Sequence, residues 1–268
     1  MLFRTQDVRR RFLHDLKLAS ILSISAGAVN SAGFFAFDVL TTNVTGHVAL
    51  LANDLVAYNW EAAYMKLLWM FLFLMGAFVS SLWVQFFHNH PTKGRFAHTV
   101  PLILEMSLLA GVAILGHHYF DYSEVMIQLL AGSLLFAMGL QNALITIVSG
   151  SVIRTTHLTG LFTDLGVNFA KLFFRQGSIK ENLIVKRRLI LLLTIAGSFF
   201  IGGVIGGFIF ASYLFFAFIF PLLTLLAALL YDVITFNPQK DKKTAKTPRT
   251  AKTFAPQKAE RKWETEVE

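Results

Sequence analysis

The sequence predicts an all-α membrane protein: six transmembrane helices plus two re-entrant half-helices, arranged as two inverted three-span repeats. Three observations predict this class. Hydrophobic residues make up 55% of the chain and charged residues only 15%, at a mean hydropathy of +0.58; a soluble domain carries about 25% charged residues. A cluster of hydroxyl, amide and imidazole side chains occurs twice in this apolar background. The excess of 24 Lys and Arg over 16 Asp and Glu collects in a few segments. In a membrane protein that pattern reports topology before it reports a nucleic-acid partner.

The duplicated motif reads Thr41-Thr42-Asn43-Val44-Thr45-Gly46-His47 in one copy and Thr155-Thr156-His157-Leu158-Thr159-Gly160 in the other. Each leads into an apolar run containing an Asp. Upstream lie Gly27-Ala28-Val29-Asn30 and Gly139-Leu140-Gln141-Asn142. Asn30 and Asn142 are 112 positions apart, Gly46 and Gly160 114, so the copies hold register. Self-similarity at a fixed offset outranks any single motif as a guide to architecture.

Residues 1–17 form a basic cytoplasmic N-terminus. Arg9-Arg10-Arg11-Phe12-Leu13 before an apolar run resembles a twin-arginine export signal, but an exported soluble domain would not continue with further spanning segments. Leu18 to about Val39 is the first span, and its Ser, Ala and Gly suit close helix packing. The first motif and a short helix from about Val44 to Tyr58 follow. Lys66–Phe87 and Thr99 to about Gly116 are the second and third spans, separated by a basic loop, His88–His98. An acidic loop, His117–Glu124, closes the first membrane repeat, 18–124. The second repeat, 125–236, holds a fourth span (Val125–Val148) and the second motif with a short helix from about Leu158 to Phe174. A basic segment, Arg175–Arg188, precedes a fifth span (Leu189–Phe210) and a sixth (Tyr213–Tyr231). Gly202, Gly203, Gly206 and Gly207 give overlapping Gly-x-x-x-Gly spacings, a packing face. Residues 237–268 are rich in Lys, Thr, Ala and Pro and read as a disordered basic cytoplasmic tail.

Counting sides tests the plan. The basic N-terminus, both basic loops and the tail belong in the cytoplasm, and the acidic loop outside. This works only if neither short helix crosses. The first motif then enters from outside and the second from the cytoplasm, and three crossings per half invert the second half, as in many secondary transporters.

Non-helical backbone at membrane depth is tolerated only where it is buried in protein or lines a watery cavity. Gly46 and Gly160 permit a close backbone approach, and Thr42, Asn43, Thr45, Thr156 and Thr159 suit the free N–H groups of a helix start. Two half-helix N-termini meeting at the midplane favour an anion or a carbonyl-rich solute; the same hydroxyls would equally satisfy a broken backbone. Candidate substrate-binding residues are Asn30, Asn43, Thr45, Gly46, Gln141, Asn142, Thr156, Thr159 and Gly160. For Asn30, Gln141 and Asn142 the competing reading is hydrogen bonding across helices. His47, His157, Asp164 and Glu105 are candidate proton-coupling groups. Against that stands a hydrogen-bonded place in the bundle for the histidines, and pairing with a basic loop for Glu105. Asp54 is not the repeat partner of Asp164; Asn168 stands in its register. No catalytic pattern is present, so an enzyme is not expected. The chain has no cysteine, which removes disulfides and thiolate metal sites. His88, His90 and His98 fall in no recognised ligand spacing, and neither a metal nor a cofactor is expected.

At Gly27-Ala28-Val29-Asn30 followed by Asn43-Val44-Thr45-Gly46, and at Met138-Gly139-Leu140-Gln141-Asn142-Ala143 followed by Thr155-Thr156-His157-Leu158-Thr159-Gly160, the sequence resembles the YoaK-like family of uncharacterised bacterial inner-membrane proteins, a domain of unknown function. The resemblance covers roughly Leu18 to Tyr231 and leaves out the tail. It implies the segment pattern and a bacterial inner membrane, and no substrate. Members similar to this chain often carry Asp where Asn30 stands, which removes one carboxylate from the candidate site.

Together these readings give a multi-pass inner-membrane protein with both termini cytoplasmic. Its expected function is a transporter or channel for a small polar or anionic solute, through a site built by the two Thr-Gly motifs. The alternative is a non-transporting membrane scaffold or stress-associated protein with the basic tail as its interaction arm; an intramembrane enzyme is a weaker third reading. The expected partners are the lipid bilayer and the solute, not nucleic acid, with a homo-oligomer left open.

Overall fold

A computed structural model describes residues 2–88, 98–121, 123–148, 158–174 and 179–235. Every regular element among them is helical: α1 (Leu2–Phe37), α2 (Val44–Val56), α3 (Trp60–His88), α4 (Thr99–Tyr119), α5 (Glu124–Val148), α6 (Leu158–Phe173), α7 (Ile179–Tyr213) and α8 (Ile219–Thr235), with a 3₁₀ turn at Leu214–Phe218. Residues up to Tyr231 form one compact unit; of the second unit, 232–268, only the end of α8 is described. The tail, most of the first basic loop (89–97), the first four residues of the second basic segment (175–178), and Thr155, Thr156 and His157 of the second motif lie outside the described residues.

Five stretches are long and apolar enough to cross a membrane: Leu16–Phe37, Trp60–Phe87, Thr99–Tyr119, Glu124–Ile147 and Glu181–Tyr231. The chain is therefore a multi-pass helical membrane protein. The last stretch, at 51 residues, would be about 77 Å long as one straight helix, more than twice the ~30 Å bilayer core. It breaks at Leu214, whose φ of 51° is left-handed. Lys17 lies 5.7 Å over the Tyr231 ring, and the Ser25 hydroxyl donates to the Pro221 carbonyl at 3.5 Å. The chain beyond the break thus runs back along α1.

The short helices are bounded by local chemistry. α1 ends where Asp38 takes a left-handed φ of 57° and donates its amide to Phe34 O, a common helix stop. The Asn43 side chain accepts from Gly46 N at 3.0 Å and caps α2, satisfying a donor that the first turn leaves free. α2 stops at a Schellman motif: Asn59 N donates to Asp54 O and Tyr58 N to Leu55 O, with Tyr58 at φ 56°. Asn59 then caps α3 through Ala62 N, and the Ser123 hydroxyl caps α5 through Met126 N.

Two helix pairs form the backbone of the bundle, α1 with α7 and α3 with α5. Both are parallel, and both close through glycine. A methyl on Gly27 would lie 2.0 Å from Phe199 O and one on Gly202 2.1 Å from Ile24 O. In the other pair, a methyl on Gly139 would lie 2.1 Å from Phe73 O and one on Gly76 2.0 Å from Phe136 O. Without a hydrophobic driving force between helices in lipid, such backbone-to-backbone approach supplies the packing. α1 and α5, in contrast, are antiparallel: Gln141 Nε2 donates to Leu22 O at 2.7 Å, while Gly33 faces Leu134. The core between the pairs is filled by Leu109, Leu130, Leu134, Leu135 and Met138, all fully buried.

Candidate functional site

The segment between α1 and α2 is tied down by Asn30 and, further on, by His47. Asn30 Oδ1 accepts from both the Thr42 amide (3.2 Å) and the Thr42 hydroxyl (2.8 Å). Those two bonds fold the segment after Phe37 back beside α1, so that α2 begins deep along α3 instead of at its end. α2 then returns antiparallel to α3, with His47 against Trp69 and Asp54 3.5 Å from Lys66. α6 makes the matching hairpin with α7, where Asp164 meets Arg188 at 2.8 Å. Both partners of that pair are about half exposed, so it contributes little to stability.

Between these hairpins lies a cavity of about 610 Å³. The short helices α2 and α6 both open into it at their N-terminal ends, through Asn43, Val44 and Thr45 from α2 and Leu158 and Thr159 from α6. Asn30 from α1, Asn142 and Thr146 from α5, Phe73 and Ser81 from α3 and Phe199 from α7 also line it. Eight of its lining residues pair between the two halves of the chain: Asn30 with Asn142 at 112 positions, Val44 with Leu158 and Thr45 with Thr159 at 114, and Phe73 with Phe199 at 126. No Asp, Glu, Lys, Arg or His is among its described lining residues. Beside the apolar Leu40, Met70, Leu74, Ala77, Ala143 and Ile147, the space offers amide and hydroxyl groups, which both donate and accept, and two helix N-termini, which favour a hydrogen-bond acceptor or an anion.

Of the residues singled out from sequence, Asn30, Asn43, Thr45, Asn142 and Thr159 meet at this cavity. Gly46 packs under the Asn43 side chain that caps its own amide, and Gly160 does not line the space. Gln141 is fully buried on the other face of α5 and ties it to α1. His47 is buried, with Nε2 2.9 Å from Leu40 O and its ring edge-on to Trp69; it pins the segment that leads into α2 and does not line the cavity. Asp164 faces Arg188, and the buried Asn168 donates to Asp164 O at 2.6 Å. Glu105 is fully buried in α4 and outside the cavity. Phe73, Phe199, Ser81 and Thr146 carried no signal in sequence reading. The register of the repeat could have found the two phenylalanines, because each lies three residues before a glycine that meets α5 or α1.

A family model described as protein of unknown function (DUF1275) matches residues 18–231. No curated protein and no solved structure matches the chain.

Proposed function

We propose the following function for this chain, which belongs to the DUF1275 family of proteins of unknown function: it carries a small polar or anionic solute across the bacterial inner membrane, through the cavity between the two half-helices. The single observation that carries this reading is the paired lining. One cavity receives equivalent residues from both copies of the motif, which is the arrangement expected where a solute site sits at the interface of inverted repeats.

The topology we infer has six crossings, with α2 and α6 re-entrant. α2 has 13 residues, about 20 Å of helix, and falls short of the ~30 Å core. Parity supports the same answer. The antiparallel run of α1 and α5 requires an even number of crossings between them, which α3 and α4 supply and α2 would spoil. Inversion of the halves follows, because α5 repeats α1 in the opposite direction. The basic segments put both termini in the cytoplasm. A phosphate-like, carboxylate or carbonyl-rich solute would accept from the half-helix ends while Phe73 and Phe199 cover its apolar part.

The absence of cysteine makes the test direct. Single cysteines at Asn43 and Thr159, with a third at the fully buried Leu134, are treated in membranes with an impermeant thiol reagent applied from either side. The expected result is labelling at Asn43 and Thr159 and none at Leu134. If both cavity positions stay as silent as Leu134, the space is dry and the transport reading is wrong.

A further inference from the structure

α4 and α8 are the third members of the two proposed halves, and they align through their prolines. Pro101 and Pro221 are each the third residue of their helix. In that register Glu105 falls opposite Leu225. The matching register positions of the two helices thus hold a carboxyl in α4 and a leucine in α8, both fully buried. Neither oxygen of Glu105 has a hydrogen-bond partner among the described residues.

α4 packs against α5 and the 3₁₀ turn. Between 125 and 147 α5 has no titratable side chain, and Leu214–Phe218 has none. Among the described residues the nearest titratable group along the chain is His98, the α4 N-cap, seven residues and about two turns before Glu105; His117 and His118 lie about three turns away at the far end. An ionised carboxylate without a partner at membrane depth is costly. Glu105 also lies only six residues inside Thr99, where α4 begins, about 9 Å along the helix from its end. A proton has a short way to travel to water.

We propose that Glu105 is a proton-binding site that exchanges with the aqueous phase, releasing a proton to water as carboxylate and taking one back as acid. The site is separate from the solute cavity and does not depend on the transport reading. Only the coupling of the two, in which solute passage and proton movement share one conformational cycle, rests on it.

The test is infrared difference spectroscopy of the full chain in lipid nanodiscs, stepping the bath between acid and alkaline. A protonated carboxyl in apolar surroundings gives a distinct carbonyl stretch. The expected result is a band that disappears on the alkaline step, returns on the acid step, and is missing in both Glu105→Gln and Glu105→Leu. The leucine variant fills the buried position with hydrocarbon of similar volume and is expected to fold, which keeps the comparison valid if glutamine does not. A band that is pH-invariant, that is absent from the parent protein, or that persists in both variants would overturn the proposal. Cysteine labelling of the cavity succeeds or fails independently of this band.

Discussion

Replacing Gly27 or Gly139 by alanine tests the packing of the whole bundle. A methyl would sit 2.0 Å from Phe199 O in the first case and 2.1 Å from Phe73 O in the second, where ordinary contact begins near 3.4 Å. The obstacle is backbone and cannot rotate away, so each helix pair must part by roughly 1.4 Å, at about 1–3 kcal/mol for overpacking. Alanine returns about 0.5–1 kcal/mol as the better helix former. The net expectation is a loss of about 1–2 kcal/mol at each position, equal for the two within experimental scatter. Gly111, Gly166 and Gly197 supply the control, since nothing lies within 4 Å of a methyl there; alanine at these positions should be neutral or gain about 0.5 kcal/mol. The assay is unfolding of the purified protein in detergent by increasing denaturing surfactant, followed by circular dichroism. Loss at Gly27 without loss at Gly139, or none at either, would falsify the reciprocal seam and with it the register that relates the two halves.

Two further outcomes follow from single side chains. Asn30→Ala removes the acceptor of both Thr42 bonds and strands a Thr42 that is 6% exposed; a loss of about 1–3 kcal/mol is expected for the orphaned amide, whereas Asn30→Asp keeps an acceptor oxygen and should retain the fold in the same surfactant titration. Glu105→Leu relieves two unpartnered carboxyl oxygens in a fully buried slot; it should raise stability by about 1–3 kcal/mol, and a comparable loss instead would mean that the carboxyl has a structural partner.

The helices and their order were legible because they rest on local signals. Apolar run length marks the spans, and Asn43, a residue type that caps helices, sits where α2 begins. The convergence of Asn30, Asn43, Thr45, Asn142 and Thr159 on one cavity was legible only through the repeat, since no single one of them is unusual. Gln141 shows why the rest was not. It stands next to Asn142 in sequence, yet one residue turns a helix by about 100°, and that rotation separates a cavity wall from a helix seam. His47 likewise reads as an ionisable group at depth, and its hydrogen bond to Leu40 O depends on a loop path that periodicity does not encode. The glycines of the fifth span were readable as a packing face, but their partner helix was not, because spacing names a face and not what meets it.

That partner choice leads to a last prediction. α1 pairs with α7, and α3 with α5, so each seam joins one proposed half to the other. A fragment covering residues 1–122 contains α1 and α3 but neither of their glycine partners. Its Gly27 and Gly76 faces would be left without the carbonyls of Phe199 and Phe136 that they meet in the whole chain. In lipid no hydrophobic force closes such a face on something else. The fragment 123–268 is in the mirror situation through Gly139 and Gly202. Each fragment expressed alone should therefore be degraded or remain loosely packed, while co-expression of both should give a complex that co-purifies and unfolds cooperatively. The cut falls beside Asp121, whose carboxylate accepts from the Ser123 amide and hydroxyl in an exposed turn, so the break itself costs little. A stable, cooperatively folded 1–122 fragment would refute the interlocked packing, since each half would then be a bundle in its own right and the cavity merely the crevice between two independent units.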